Sequence, residues 1–386
     1  MGRSIAIIGG GIIGASVAAS GKAGGFLAHG RPWHSKNTES LAALSFQLHQ
    51  ELADAHDGVK RWGYRRVSTL QIDIDEDRRT KVVPDAGWVG AVSAFSKLGS
   101  EATTGQVHPF FLSEALVEIA QSRGVKIHIA TAADIEFSPD SKQPIALVAK
   151  KGDGSEVSIS ATDIVFAAGP WTGTLAQKLL GKEAGAAGTI VPSDTSSSIV
   201  LRPDPSHTIT NHMLFTDLSF GGRNCEPEVY PRADGTVYLC GAGGDDKLAT
   251  IPERADQVKP PAEAIQRLKE AAEFVSPGTL ANAEVVAEQC CFRPDSQTGL
   301  PVIGKVREGR VQRFITCRGA TIDIGQSIWM ASGHGFWGIQ NGPGTGKCLV
   351  SCAHALQKRD SYMLVATKAE LILGLPTSAN ISELNP

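Results

Sequence analysis

At 386 residues, 42% hydrophobic and with a net charge of −3, the chain has the composition of a globular protein with a sizeable core, which excludes disorder as its main state. Its 37 basic residues are balanced by 40 acidic ones, so no positive field singles out nucleic acid or an anionic membrane as the main partner. No stretch approaches the roughly 18 uninterrupted apolar residues of a membrane-spanning helix, and a small-molecule partner is expected.

Met1-Gly2-Arg3-Ser4 runs straight into Ile5-Ala6-Ile7-Ile8 without the apolar core of a signal peptide, so a cytoplasmic chain is expected. Residues 4–8 are a β-branched run typical of a buried parallel strand, and Gly9-Gly10-Gly11-Ile12-Ile13-Gly14 follows at once. In this G-x-G-x-x-G pattern Gly9 permits the tight turn, Gly11 lets a pyrophosphate approach the backbone, and Gly14 allows close strand–helix packing; the helix start supplies partial positive charge. A second strand and a ribose-holding acid should follow within about 20 residues. Instead Ser20-Gly21-Lys22-Ala23-Gly24-Gly25 intervenes and the first acid is Glu39, so one βα repeat is missing and the sheet is expected to be a strand short.

Further on, residues 40–56 and Leu112–Ser122 carry apolar side chains at helical spacing, while segments from Val125 to Ile159 alternate like strands of a β-rich insertion. Asp163–Phe166 reads as a buried strand ending in the small-residue turn Ala167-Ala168-Gly169-Pro170-Trp171, with a helix beginning by Leu175. Short strands between 185 and 250, with a hairpin turn at Arg232–Thr236, predict an antiparallel sheet in a second lobe. Pro260-Pro261 opens a helix to about Phe274, and the strands Val285–Cys291 and Ile328–Ser332 run towards turns at Arg293–Gly304 and Gly333-His334-Gly335. Gly342-Pro343-Gly344-Thr345-Gly346-Lys347-Cys348 imitates a P-loop but has Asn341 at the first glycine position and Cys348 for Ser or Thr, so no ATPase is expected. Seven scattered cysteines argue against a disulfide framework, and Cys348-x3-Cys352-x-His354 lacks a second ligand pair, so no metal is expected.

Taken together, Ile5–Gly14, Ala19–Gly25, Gln106–Pro109, Ala167–Trp171, Arg293–Gly304 and Ser332–Lys347 resemble, in order, the motifs of the FAD-dependent oxidoreductase superfamily of D-amino-acid oxidase, glycine oxidase and sarcosine oxidase. The stretch ASGKAGGFLA followed by a Ser-Phe-x-Leu-His helix looks most like a mainly fungal branch of it. The resemblance implies an α/β fold with a Rossmann-like FAD-binding lobe (1–60, 100–180 and 325–386), lacking one βα repeat, and an antiparallel-sheet α+β substrate lobe (61–99 and 181–324). By the same resemblance Gly9, Gly11, Ile12, Ile13 and Gly14 face the pyrophosphate. Ser20, Gly21, Ala23 and Gly24 pass close to phosphate and flavin, and Ala168, Gly169 and Trp171 lie along the cofactor. Gly333, His334, Gly335, Gly338 and Ile339 approach the flavin ring. The catalytic assignments are His334 and Arg293, the latter matching an arginine that grips a substrate carboxylate; the alternative for Arg293 is a structural salt bridge to Asp295 or Asp323. The implied activity is oxidation of the C–N bond of a small amine or amino or imino acid by hydride transfer to FAD, with O2 or another acceptor taking the electrons. The rival reading is a flavin-dead protein of the same shape with a binding or trafficking role. Two departures besides the missing repeat are polar insertions at Val306–Gln326 and Ser351–Ala369.

Overall fold

A computed structural model describes residues 4–11, 21–139, 143–245, 247, 250–307, 310–311, 327–357 and 368–373. The fold is α/β, built on two large sheets. Among the described residues the first sheet has seven strands, in the order Arg310–Val311, Val302–Arg307, Ile328–Ser332, Asp163–Phe166, Ser4–Ile8, Lys368–Leu373, Lys126–Ile129. Ser4–Ile8 lies at its heart because both of its faces are apolar. Ala6 and Ile8 join Ile164, Phe166, Ile328 and Met330 on one side, whereas Ile7 packs with Val165, Trp329 and Ala331 on the other. The buried carboxylate of Asp163, which opens the next strand, accepts hydrogen bonds from Trp329 Nε1 (3.0 Å) and from Thr162 Oγ1 (2.9 Å).

The expected gap beside the first strand is filled. Lys368–Leu373 pairs in parallel with Ser4–Ile8 on one side and with Lys126–Ile129 on the other. A strand from near the end of the chain therefore occupies the place that the missing repeat leaves open, so the sheet is not one strand short. Val302–Arg307, within the range expected for the substrate lobe, pairs antiparallel with Ile328–Ser332 in this same sheet. The insertion at Val306–Gln326 lies largely outside the described residues, as does the part of Ser351–Ala369 between 358 and 367. Of the β-rich insertion expected from Val125 to Ile159, Lys126–Ile129 belongs instead to the first sheet, and Thr131–Phe137, Pro144–Lys150 and Glu156–Ser160 form a three-stranded antiparallel sheet.

The second large sheet runs Glu284–Cys291, Ser196–Arg202, Val237–Cys240, Glu228–Pro231, His212–Phe220, Ser68–Asp75, Ala94–Gly99, and is antiparallel except where His212–Phe220 meets Ser68–Asp75. Period-two alternation divides its faces. Ile199, Leu201, Val229, Val237 and Leu239 pack on the helix Ala262–Val275 through Ile265, Leu268, Ala272 and Val275, while Val200, Tyr230, Tyr238 and Cys240 point the other way.

Two helices, Glu39–Ala55 and Gly338–Gln357, pack closely, and the packing explains much of the Ser332–Lys347 motif. Pro343 sits inside the second helix and has no N–H to give the Ile339 carbonyl; His49 Nε2 donates to that oxygen instead, at 2.9 Å. Gly344 N–H donates to Ser45 Oγ at 3.0 Å, and a Cβ at Gly344 would collide with Ser45 and Leu41. Gln340 donates to the Ala42 carbonyl and accepts from the Ala28 N–H. Residues Gly342–Lys347 are thus helical interior, which disposes of the P-loop resemblance.

Candidate active site

A cavity of about 830 Å3 runs between the two large sheets, within the roughly 300–1,000 Å3 usual for ligand and cofactor sites. At one end lies the turn Gly9–Gly11 at the carboxyl end of the first strand, where Gly9 has φ +129°. Ala168, Gly169 and Trp171, at the end of the neighbouring strand, form one wall; Trp171 is held by its Nε1 donating to the Pro252 carbonyl at 2.7 Å. The turn His334-Gly335 and the helix start at Gly338 and Ile339 form another. From the second sheet come Ser196, Glu228, Tyr238, Cys240 and Cys291, with Arg293 just beyond that last strand.

The structure therefore brings Gly9, Gly11, Ala23, Gly24, Ala168, Gly169, Trp171, Arg293, His334, Gly335, Gly338 and Ile339 to one cavity. It does not bring two others there. Gly21 is buried away from the lining, and Gly333, with φ +77°, turns its Cα towards Ser296 and Ile190, where an added Cβ would stand 3.0 and 3.2 Å from them. Ile12, Ile13, Gly14 and Ser20 lie outside the described residues. Gly24 makes its close approach to protein, since a Cβ there would meet the Tyr230 ring at 2.5 Å and that of Tyr238 at 2.9 Å.

Arg293 is half-buried. Its guanidinium donates to Ser196 Oγ at 2.5 Å, while its backbone is clamped to Ser193 by Arg293 N–H to Ser193 Oγ (3.0 Å) and Ser193 N–H to the Arg293 carbonyl (2.8 Å). Among the described residues no carboxylate forms an ion pair with it. Asp295 feels the guanidinium, but burial dominates and raises its pKa, and Asp323 lies outside the described residues. His334 is buried, with Nε2 at 2.9 Å from Thr345 Oγ1 and no protein partner for Nδ1; burial lowers its pKa to about 3, so the ring is neutral.

Several lining residues carried no sequence signal: Glu228, Cys240 and Ser196 lie on ordinary-looking strands, and only the pairing of those strands collects them. Lys22, inside ASGKAGG and next to the lining residues Ala23 and Gly24, donates to the Cys290 carbonyl at 2.9 Å, and burial lowers its pKa.

The cavity fits a long, flat cofactor. Gly169 (φ +54°) and Gly338 border open space, where an added Cβ would meet nothing within 4 Å, and the orphaned Nδ1 of His334 is a buried polar atom in want of a partner. Among the described residues no helix is long and apolar enough to cross a membrane, and no His, Cys, Asp or Glu cluster could hold a metal.

Residues 18–352 match the family model for FAD dependent oxidoreductases. A Schizosaccharomyces pombe protein named as an oxidoreductase, C1F5.03c, is 33% identical over 97% of this chain and 88% of its own length. Among solved structures, glycine oxidase from Bacillus cereus superposes with a TM-score of 0.66 at 16% identity, over 92% of this chain and 97% of its own. Iminodiacetate oxidase from Chelativorans gives 0.64 at 18% identity, over 95% and 99%. The chain belongs to the FAD-dependent oxidoreductase family of D-amino-acid oxidase and glycine oxidase, and FAD is its cofactor.

Proposed function

We propose that the protein oxidises the C–N bond of a small amino or imino acid bound through its carboxylate. The observation that carries this reading is Arg293, a guanidinium at the cavity wall whose side-chain bond is to the neutral Ser196 and which no described carboxylate neutralises. Burying such a charge is costly unless an anion meets it, and a planar fork suits a carboxylate. The substrates for which the structural relatives are named, glycine and iminodiacetate, are acids carrying an amine. FAD, when bound, supplies the hydride acceptor at the ring. The chain's own residues do the rest. Arg293 anchors the substrate, the walls exclude water and orient its α-carbon, and the N-terminus of the Gly338–Gln357 helix turns its partial positive charge towards the cavity. His334 contributes as a neutral hydrogen-bonding group, since burial keeps it unprotonated at ordinary pH.

The filled sheet favours a working enzyme over a flavin-dead one, because the strand neighbouring the Gly9–Gly11 turn is in place. The test is a visible spectrum after gel filtration, followed by rates of flavin reduction with D-amino acids, N-methyl amino acids and simple amines. Arg293→Lys keeps the charge but loses the fork, and should raise KM for carboxylate substrates ten- to a hundredfold, worth about 1–3 kcal/mol, while sparing amines. A colourless folded protein, or equal effects on every substrate, would overturn the reading.

A further inference from the structure

A row of aromatic rings leads from the cavity to the surface. Tyr230 and Tyr238 stand directly opposite each other on neighbouring strands of the second sheet, and their rings stack with centroids 6.1 Å apart and planes 15° apart. Tyr238 lines the cavity, and Gly24, which also lines it, lies on both rings with no side chain to hold them off. Beyond Tyr230 come Phe26, stacked on it at 5.6 Å, and Phe215, edge-on at 5.7 Å. Both of these meet Trp33, at 5.0 and 5.2 Å. Trp33 is half-buried among the exposed Arg31, Pro32, Ser35 and Lys36, so the row ends at solvent.

Packing explains the contacts but not the choice of side chains. Tyrosine and tryptophan are among the residues most readily oxidised by one electron, and they occupy the two ends of the row, whereas the phenylalanines fill the gap between them with rings in contact. Tyrosine gives up an electron only as its phenolic proton leaves, which requires a base in place. Tyr230 has one: its Oη donates to Glu228 Oε2 at 2.7 Å. Burial first, and then Glu228, raise the Tyr230 pKa well above its ordinary value, so the phenol keeps its proton until the ring is oxidised. The cavity also holds groups that a stray oxidant would damage. Cys240 and Cys291 line it, and a thiol oxidised beyond the sulfenic acid is not recovered by ordinary reductants.

We propose that Tyr238, Tyr230 and Trp33, bridged by Phe26 and Phe215, carry one-electron oxidising equivalents out of the cofactor cavity to the surface. The oxidant is an oxygen-derived radical formed where electrons leave the flavin; a hydroxyl radical takes one electron and one proton and becomes water. The electron comes from Tyr238 and is replaced from Tyr230, whose phenolic proton passes to Glu228. Trp33 then returns an electron to Tyr230, which recovers its proton from Glu228. The inner residues end as they began. The net loss is one electron and the indole N–H proton at Trp33, where a small thiol in solution restores both by giving up a hydrogen atom from its S–H.

The experiment excites the flavin of the loaded, full-length protein with blue light in air, because an excited flavin takes a single electron from a neighbouring aromatic side chain. Peptide mass spectrometry then locates the oxygen added to the chain. Hydroxyl radicals made in bulk solution from peroxide and iron give the background set by exposure alone. In the wild type the share of oxidation at Trp33 should exceed that background at least threefold. Tyr230→Phe removes only a hydroxyl and should bring the share back to background. Trp33→Phe should shift oxidation inwards, raising it at least twofold at Cys240, Cys291 or Trp171. Flavin content and unfolding midpoint, measured on each variant, separate a broken path from a damaged fold. No excess at Trp33 in the wild type, or an excess that survives Tyr230→Phe, would overturn the proposal. The wild-type comparison decides even if a variant does not fold.

Discussion

Replacing His49 by leucine tests how the cofactor-facing helix tolerates its proline. Pro343 removes the N–H that the Ile339 carbonyl would accept, and the buried His49 Nε2 replaces it at 2.9 Å. His49→Leu keeps an apolar fill but leaves that carbonyl buried and unsatisfied, a loss of about 1–3 kcal/mol. The partner is identified by a double-mutant cycle with Pro343→Ala, which restores the backbone N–H. In that background His49→Leu should cost at least about 1 kcal/mol less, because the helix then satisfies its own carbonyl. A pH signature accompanies the loss. Burial lowers the His49 pKa from 6.5 to about 4, so the unfolded chain binds the proton more readily. Its contribution is therefore fully present above pH 6.5 and is lost as pH falls towards 4. Between about pH 7.5 and about pH 5 this removes roughly 2 kcal/mol of stability from the wild type, and His49→Leu should flatten the slope by that amount. His334, whose pKa burial lowers to about 3, leaves a residual slope of the same sign. Urea unfolding of the four proteins at both pH values is the assay. Equal costs of His49→Leu with proline or alanine at position 343 would refute the argument.

Truncation after Gln357 removes Lys368–Leu373 and leaves the facing edges of Ser4–Ile8 and Lys126–Ile129 unpaired, so flavin retention should fall sharply and aggregates appear on gel filtration; an unchanged absorbance spectrum would count against the pairing. Gly169→Ala puts a side chain at φ +54° beside the open cavity, where strain of about 1 kcal/mol or more and intrusion on the cofactor act together, and flavin affinity by titration should drop at least tenfold. Gly344→Val drives a branched side chain into Ser45 and Leu41 and should destabilise the helix pair by about 1–3 kcal/mol, read as a lower unfolding midpoint.

The first strand was legible because five consecutive residues, Ser4–Ile8, are followed by glycines that no ordinary strand needs. The hairpin about Arg232–Thr236 was legible for the same local reason: Asp234 and Gly235 close a turn between Glu228–Pro231 and Val237–Cys240. The partner of the first strand was not, since nothing in Lys368–Leu373 marked it as a strand or told which edge it joins. Parallel pairing is set by tertiary contacts hundreds of residues away, not by any adjoining turn. Arg293 stood out through its motif, whereas Glu228 became visible only when register laid it beside Cys240 and Ser198. The Ser332–Lys347 motif was conspicuous for its glycines. Its chemistry turned out to be divided: His334, Gly335 and Gly338 border the cavity, while Gln340, Pro343 and Gly344 are committed to the neighbouring helix.

The strand Lys368–Leu373 also sets the order in which the protein can be made. One side of Ser4–Ile8 waits for a partner that leaves the ribosome some 360 residues later, after on the order of tens of seconds at roughly 5–20 residues per second. Throughout that interval the nascent chain carries an apolar, half-paired strand, the kind of edge that recruits chaperones or its own copies. The sheet that carries the Gly9–Gly11 turn therefore closes only once residues 368–373 have been made.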